Sequence, residues 1–405
     1  NLLNEPVNTL TNKLIVKIMR KISLATAIII GMNAMIGSGI FSAPAIMASN
    51  VGPAGILAYI FVVLSVWFIA QSMARLAELF PEAGSFYIYT KAWAGHAVGL
   101  FAISSYLVGL IVAMGLLAQL AGFYLYPFYP LYTPQTLGLV VLAALVFLNM
   151  CGVIFSELGQ QILIICTVFP LVVTTIICFT QAKLSFLTPF APYGFTNVLK
   201  ATRIVIFGFF GFECAISLFT LVENPRKNVP KALTYSILLV GALYILFITS
   251  IIMSTPIHYF SNPMITIPDI LHHIFPRFPW LSSIIHISIL SAILGTIHSM
   301  IWSSGALLQN ILHKTLYVRK ISLPFSIALI GFCILISFIT FKNLNLFFNF
   351  TAFFIILAFI LSIIALLTIK QEQTPLRYTR TFLSLATALL IFFFAVEGIV
   401  QELFL

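Results

Sequence analysis

The sequence predicts an all-α integral membrane protein, and three observations lead to that prediction. Of the 405 residues, 61% are hydrophobic and only 7% are charged, with a mean hydropathy of +1.12. Soluble domains carry about 25% charged residues, so this composition excludes a soluble globular protein, a disordered chain and a nucleic-acid binder. In addition, eleven apolar runs have the length of a membrane-crossing helix, and glycine clusters interrupt two of them.

The eleven runs define the domain organisation. We number them as spans one to eleven in chain order, at residues 24–48, 54–79, 93–125, 135–151, 157–181, 201–221, 232–254, 280–311, 323–341, 345–369 and 378–401. We predict a cytoplasmic N-terminal segment (1–23), a first repeat of spans one to five (24–181), a second repeat of spans six to ten (201–369) and an additional eleventh span (378–401). The first run is too long for a signal peptide, and ten further spans follow it. Whether a twelfth span exists is left open.

The positive charges predict the orientation. With the N-terminus in the cytoplasm and alternating spans, 15 of the 20 Lys and Arg residues fall on the cytoplasmic side. The positive-inside rule produces this bias, so we predict a multi-pass protein of the cell membrane with a cytoplasmic N-terminus. The net charge of +10 then reflects topology and requires no acidic substrate or nucleic acid. The five cysteines form no C-x-x-C pair, so we expect neither a metal site nor a cofactor.

Span one is interrupted at mid-span by Gly37-Ser38-Gly39. Two glycines around a serine weaken a helix, and irregular backbone at membrane depth persists only where it lines a cavity or is buried in protein. The freed N–H groups and the N-terminus of the resuming helix favour an anion. Close helix packing through small residues is the alternative. A dinucleotide fingerprint is excluded, because the third glycine is missing and no strand precedes the segment.

Span six is interrupted by Gly208 and Gly211, next to Glu213. Unwound carbonyls favour a cation, and an intramembrane Glu indicates a functional site by default. The alternative is a structural Glu that is hydrogen-bonded to a neighbouring broken helix, and the two roles are compatible. Interruptions at corresponding places in two five-span halves are typical of an inverted-repeat transporter with a midplane site. In an α-amino acid, the carboxylate would bind the N–H groups of the first break and the adjacent ammonium group would bind the carbonyls of the second.

Three blocks of sequence resemble the amino acid–polyamine–organocation (APC) transporters. Ile36 to Phe41 resembles the family's signature in its first span. The segment from Glu78 to Tyr87 is similar to the family's cytoplasmic segment between spans two and three. Phe207 to Glu213, continued by Glu223 to Ala232, resembles its sixth span and the following loop. The resemblance covers spans one to ten and is specific in these three blocks.

This resemblance implies a five-plus-five inverted-repeat, leucine-transporter-like fold in which helices 1 and 6 are broken. It also implies exchange or ion-coupled uptake of amino acids by alternating access. By position in the motifs, the substrate carboxylate is expected at Ile36, Gly37, Ser38 and Gly39. The amino group is expected at the backbone around Ile206, Phe207 and Phe210. Phe207 falls at the position of a gating aromatic that closes over the ligand.

Further residues are assigned by looser alignment with the family. Ser105 and Tyr106 of span three are expected to face the pocket, although Tyr106 is alternatively a packed aromatic with a bonded hydroxyl. His298 of span eight is a candidate for contact with substrate or a proton, or else a buried group bonded to a neighbouring helix. Thr167 stands where some proton-coupled members carry Lys. Its hydroxyl could help to ligate sodium, so Thr167 and Glu213 are the candidates for ion coupling.

The leading interpretation is a secondary transporter for a cationic or neutral amino acid, acting by exchange or by proton-linked uptake. The sequence contains no H-E-x-x-H motif, no G-x-S-x-G motif and no pair of intramembrane Asp residues, so an enzyme is disfavoured. A channel is disfavoured because no segment resembles a selectivity filter. Alternatives are a transport-silent amino-acid sensor on the same fold and a transporter of polyamines or organic amines. A polyamine is disfavoured because it lacks the carboxylate. Coupling to protons or sodium, and an oligomeric state, are left open.

Overall fold

The computed structural model describes residues 22–37, 39–81, 85–152, 157–213, 216, 222–261, 266–315, 321–341, 343–369 and 374–404. Fourteen α-helices run through this part of the chain. They are α1 (Leu24–Met35), α2 (Gly39–Asn50), α3 (Gly55–Leu79), α4 (Ser85–Leu125), α5 (Pro134–Met150), α6 (Glu157–Thr180), α7 (Phe195–Lys200), α8 (Thr202–Val205), α9 (Pro225–Ser254), α10 (Ile267–Ile274), α11 (Pro279–Thr315), α12 (Leu323–Thr340), α13 (Leu344–Thr368) and α14 (Pro375–Phe404).

The helices match the predicted spans. Within the described residues, eight helices are long and apolar enough to cross a membrane, and they correspond to spans two, three, five and seven to eleven. Span four is the shorter helix α5. Span one is divided into α1 and α2. The described part of span six begins with α8 and a 3₁₀ turn (Ile206–Phe209), directly after the short helix α7. The all-α, multi-pass prediction is therefore confirmed, including the interruption of spans one and six.

Several boundaries differ from the predicted ones for local reasons. The helix of span three begins at Ser85 rather than at residue 93 and is kinked at Gly95, whose φ of 82° suits glycine. Span seven begins at Pro225 rather than at residue 232, because proline is favourable in the first turn of a helix. The short helix α10 lies in the loop between spans seven and eight. A reciprocal capping box between Thr266 and Asp269 begins it.

The pairing of the helices has a twofold pattern. Span three (α4) packs along span ten (α13), and span eight (α11) packs along span five (α6). Spans three and eight are counterparts in the two halves, and so are spans five and ten. Exchanging counterparts therefore converts the first pair into the second. The same exchange returns the pair of spans two and seven (α3 and α9) to itself. This is the pattern that two related five-span halves would produce around spans one and six.

Side chains fix the seam between α4 and α13. The indole N–H of Trp93 donates to the carbonyl of Leu361 (2.9 Å), and the Ser105 hydroxyl donates to the carbonyl of Phe354 (2.8 Å). Polar side chains that bond across helices hold them together where apolar packing alone gives little preference. The seam places span three at a fixed depth beside the interruption in span six.

Candidate functional site

The first break separates α1 from α2. Helix α1 ends at Met35, and the N–H of Ile36 donates to the carbonyl of Met32. Ile36, Gly37 and Gly39 are buried, and α2 begins at Gly39. Ser38, which was predicted to bind substrate, lies outside the described residues. The break therefore presents the carbonyl end of one helix and the N–H end of another inside the protein.

Hydroxyl groups from two other spans approach the carbonyls at the end of α1. Tyr244 of span seven donates to the carbonyl of Met35 at 3.2 Å. Thr296 of span eight lies 3.4 Å from the carbonyl oxygen of Asn33 and 3.5 Å from that of Ile36. These two distances are at the long limit of hydrogen bonds. Carbonyl oxygens at the C-terminal end of a broken helix are groups that favour a small cation.

The second break begins after α8 as a 3₁₀ turn and ends in extended and left-handed backbone. Phe210 has φ −63° and ψ 140°, and Gly211 has a φ of 111°. A side chain at Gly211 would be strained by this φ, and its Cβ would also overlap the carbonyl oxygen of Ala34. Glycine is thus required here both by the backbone conformation and by the approach of α1.

The two breaks touch each other. A Cβ built on Gly39 would lie 2.6 Å from the Cα of Gly208, so the backbones meet at two glycines. The Tyr244 hydroxyl lies 3.1 Å from the carbonyl oxygen of Gly208 as well as 3.2 Å from that of Met35. Because a hydroxyl carries a single hydrogen, Tyr244 shares its donation between the first break and the second.

Glu213 is the buried acid of the second break, with 2% of its surface exposed. The Tyr106 hydroxyl of span three donates to its Oε1 at 2.8 Å, and the N–H of Gly211 donates to its Oε2 at 3.0 Å. The Tyr106 ring stacks on Phe86 with centroids 4.2 Å apart. The structure therefore brings two predicted site residues, Tyr106 and Glu213, together, and it links the second break to span three.

Two aromatic side chains flank the point where the breaks meet. Phe207 is buried, and its ring stands edge-on to Phe348 of span ten at 4.9 Å. Its ring atom Cδ1 would lie 3.3 Å from a Cβ on Gly39. Phe210 and Ile206 are buried in the same segment. These four side chains give the junction an apolar and aromatic side.

Three other predicted residues make contacts with scaffold helices. The Nδ1 atom of His298 lies 3.0 Å from the amide nitrogen of Asn149 on span four. Ser105 is bonded to span ten, as described above. The carbonyl of Thr167, on span five, accepts a hydrogen bond from Ser288 (2.8 Å). The predicted roles of these residues in binding or coupling therefore stay predictions.

Sequence reasoning assigned no individual role to Tyr244 or Thr296. A signal for Tyr244 was present: a Tyr in the middle of an apolar span requires a partner for its hydroxyl when it is buried. Nothing in the sequence indicated that this partner would be the backbone of two other spans. The pairing depends on the packing of α9 against α1, which local patterns do not reveal.

Comparison with known proteins gives consistent matches. A family model described as amino acid permease matches residues 22–403. Branched-chain amino acid permease BcaP from Bacillus subtilis (strain 168) is 26% identical over 239 residues, 54% of this chain and 51% of that protein. Cationic amino acid transporter 3, mitochondrial, from Arabidopsis thaliana is 29% identical over 260 residues, 58% of this chain and 42% of that protein. The chain spans about half the length of such relatives.

A solved structure shares the fold. The crystal structure of MhsT in complex with L-phenylalanine superimposes with a TM-score of 0.64 at 15% sequence identity, covering 92% of this chain and 98% of that chain. At this identity the match concerns the fold alone. It confirms the predicted leucine-transporter-like fold class.

Replacing Tyr244 with Phe tests the link between the breaks. The variant removes the hydroxyl that serves the carbonyls of Met35 and Gly208. We expect the free energy of unfolding to fall by about 1–3 kcal/mol, the typical effect of leaving a buried polar group unpaired. Thermal unfolding of the purified protein measures the change. Tyr235→Phe, an exposed position on the same helix, is the matched control, and an equal effect in both variants would contradict the assignment.

Proposed function

The chain belongs to the amino acid permease family, and we propose that it is a secondary active transporter for a cationic or neutral α-amino acid. Transport would proceed by alternating access, as exchange or proton-linked uptake, across the cell membrane with the N-terminus in the cytoplasm. The contact between the two interrupted helices carries this proposal. The matched relatives are permeases and transporters, which favours this function over an enzyme.

The first break supplies the site for the carboxylate. The first N–H groups of a helix have no partner within that helix, and α2 begins at the buried Gly39. An anion at this position gains hydrogen bonds together with the favourable end of the helix dipole. Since Gly39 lies against Gly208, a carboxylate held there would be next to the second break.

The second break supplies the site for the ammonium group. The 3₁₀ turn and the extended Phe210 release carbonyls from the regular helical pattern, and such carbonyls favour a cation. Glu213 adds a carboxyl group to the same segment. A ligand with both charges on adjacent atoms fits the two breaks, because they meet at glycines with no side chain between them.

The side-chain class of the substrate follows from the surroundings of the junction. Phe207 and Phe210 offer aromatic faces and apolar surface, which accept a neutral side chain by burial or a cationic one by cation–π contact. Relatives named for branched-chain and for cationic amino acids both match the chain. Phe207, wedged between Gly39 and Phe348, is the proposed gate.

Two groups are candidates for coupling to an ion. Glu213 is the candidate for carrying a proton. Its two carboxyl oxygens accept hydrogen bonds from Tyr106 and from the N–H of Gly211, and an oxygen that takes up a proton becomes a hydrogen-bond donor. The carbonyls of Asn33 and Ile36 with the Thr296 hydroxyl form an oxygen-lined position suited to sodium. Thr167, the earlier candidate, lies on span five and contributes its carbonyl to Ser288.

A transport-silent amino-acid sensor is the second candidate, because binding and transport would use the same two breaks. Counterflow of radiolabelled substrate into proteoliposomes discriminates between them. A sensor would bind the amino acid without moving it, whereas a transporter would accumulate label against a preloaded internal pool.

Gly39→Leu tests the location of the binding site. The new side chain would collide with the backbone of Gly208, so we expect loss of thermal stabilisation by the amino-acid substrate and loss of counterflow. Ala144→Leu on the exposed face of α5 is the matched control for added bulk. Because Gly39→Leu also strains the junction, Phe207→Ala serves as a second variant that only removes contacts. We expect it to weaken binding at least about tenfold. Normal binding by both variants would place the site elsewhere.

Glu213→Gln tests the proton-carrier role. If Glu213 carries the proton, uptake by this variant becomes insensitive to external pH, while substrate exchange persists. Glu397→Gln is the control, because Glu397 pairs with Lys200 at the periphery (2.5 Å). An unchanged pH profile of uptake in Glu213→Gln would remove Glu213 as the carrier.

A further inference from the structure

Arg203 lies one helical turn before Phe207, the proposed gate, in the part of span six that precedes the second break. It stands near the end of the apolar run. A charged side chain at such a depth is costly unless the protein supplies partners, and it indicates a functional site by default. Neither the carboxylate site nor the ammonium site includes Arg203, so its role has to be sought in its contacts.

Arg203 attaches span six to span eleven. Its Nη1 atom donates to the carbonyl of Phe394 on α14 at 3.2 Å, and a hydrogen bond from a charged donor is stronger than one from a neutral donor. Gly398, one turn further along α14, leaves room for this approach. A Cβ on Gly398 would overlap both the Nη1 atom of Arg203 and the amide nitrogen of Asn349. The guanidinium therefore occupies space that any side chain at Gly398 would fill.

The guanidinium and the gate ring lie next to neighbouring residues of span ten. Asn349 of α13 is 1% exposed and borders Gly398, as Arg203 does. The residue before it, Phe348, is the one to which the ring of Phe207 stands edge-on at 4.9 Å. Helix α8 accordingly packs against both α13 and α14. A shift of the guanidinium away from α14 would therefore move the gate ring away from span ten.

A cavity of about 410 Å³ borders the same part of span six. Its lining includes Met47 and Val51 at the end of α2, Lys200 and Arg203 before the second break, and Gln401 of α14. The packing of α8 against α2 is incomplete there. A helical segment that is packed on one side and borders a cavity on another can tilt unless a specific contact holds it, and the bond from Arg203 is such a contact.

A second contact between spans six and eleven lies closer to the surface. Lys200 pairs with Glu397 at 2.5 Å, and the two side chains are 32% and 26% exposed. Ion pairs with this exposure contribute little to holding helices together. Glu397 and Glu402 also act on the charge of Arg203, so the group of four charges is balanced. The bond from Arg203 to the α14 backbone is thus the principal attachment.

We propose that Arg203 is a positioning residue for the gate: its bond to the Phe394 carbonyl holds span six so that Phe207 stays closed over the substrate. This inference rests on the proposed function, because it assigns Arg203 to the gate of the same site. Without the bond, α8 tilts toward the cavity, the ring leaves Phe348 and bound substrate escapes faster. The groups that hold the carboxylate and the ammonium group are unchanged.

Release of a bound amino acid from the purified full chain tests the proposal. Radiolabelled L-leucine and L-arginine represent the neutral and cationic classes, and loss of label is followed after adding excess unlabelled amino acid. We expect Arg203→Ala and Phe207→Ala each to accelerate release at least about tenfold. Because Arg203 acts through Phe207, adding Arg203→Ala to Phe207→Ala should change the rate less than about twofold further.

Lys200→Gln/Glu397→Gln is the matched control. It removes the neighbouring ion pair, keeps Arg203 and leaves the net charge unchanged, so we expect less than about twofold change in release. An equal acceleration in this control and in Arg203→Ala would contradict the special role of Arg203. Additive effects of Arg203→Ala and Phe207→Ala would also overturn the proposal, because Arg203 would then act independently of the gate.

Failure of this inference is distinguishable from failure of the proposed function. Unchanged release in Arg203→Ala, with faster release in Phe207→Ala, would overturn the inference alone. Binding of neither amino acid would contradict the proposed function and the inference with it. If Arg203→Ala does not fold, Gly398→Ala decides, because its methyl group displaces the guanidinium without removing the charge. We expect faster release in Gly398→Ala, and unchanged release would contradict the proposal.

Discussion

The structure depends on the requirement that backbone polar groups inside a membrane be satisfied within the protein. Spans one and six depart from regular helix in the middle of their apolar runs, and each break packs against the other. Gly39 and Gly208 allow the backbones to touch, and Tyr244 shares one hydroxyl between the carbonyls of Met35 and Gly208. The two breaks meet inside the protein, which is why these segments are the candidate site.

Glu213 extends this arrangement to a third span. Its two oxygens accept hydrogen bonds from Tyr106 and from the N–H of Gly211, so one carboxyl group holds the second break in shape and connects it to α4. A change in the protonation of Glu213 would alter its hydrogen bond with Tyr106, and thereby the contact between the second break and α4. The same residue can therefore be structural and a coupling element, as the sequence had left open.

The sequence was sufficient for the features that depend on local composition. Apolar runs of fixed length predict spans, and paired glycines within them predict the interruptions at Gly37-Ser38-Gly39 and at Gly208 to Gly211. What it could not provide was the set of long-range contacts. Tyr244 and Thr296 reach the end of α1 from spans seven and eight, and no periodicity relates residues so far apart. The pairing of His298 with Asn149 likewise depends on which faces of two helices meet.

The central claim is that the junction of the two breaks recognises a carboxylate and an ammonium group together. Thermal stabilisation by the twenty amino acids, followed by analogues of the best ligand that lack either the carboxylate or the amino group, tests it most directly. Because each missing group leaves one break without its charged partner, the account predicts that both analogues bind at least about a hundredfold more weakly. Stabilisation by the amine analogue equal to that by the amino acid would contradict the account.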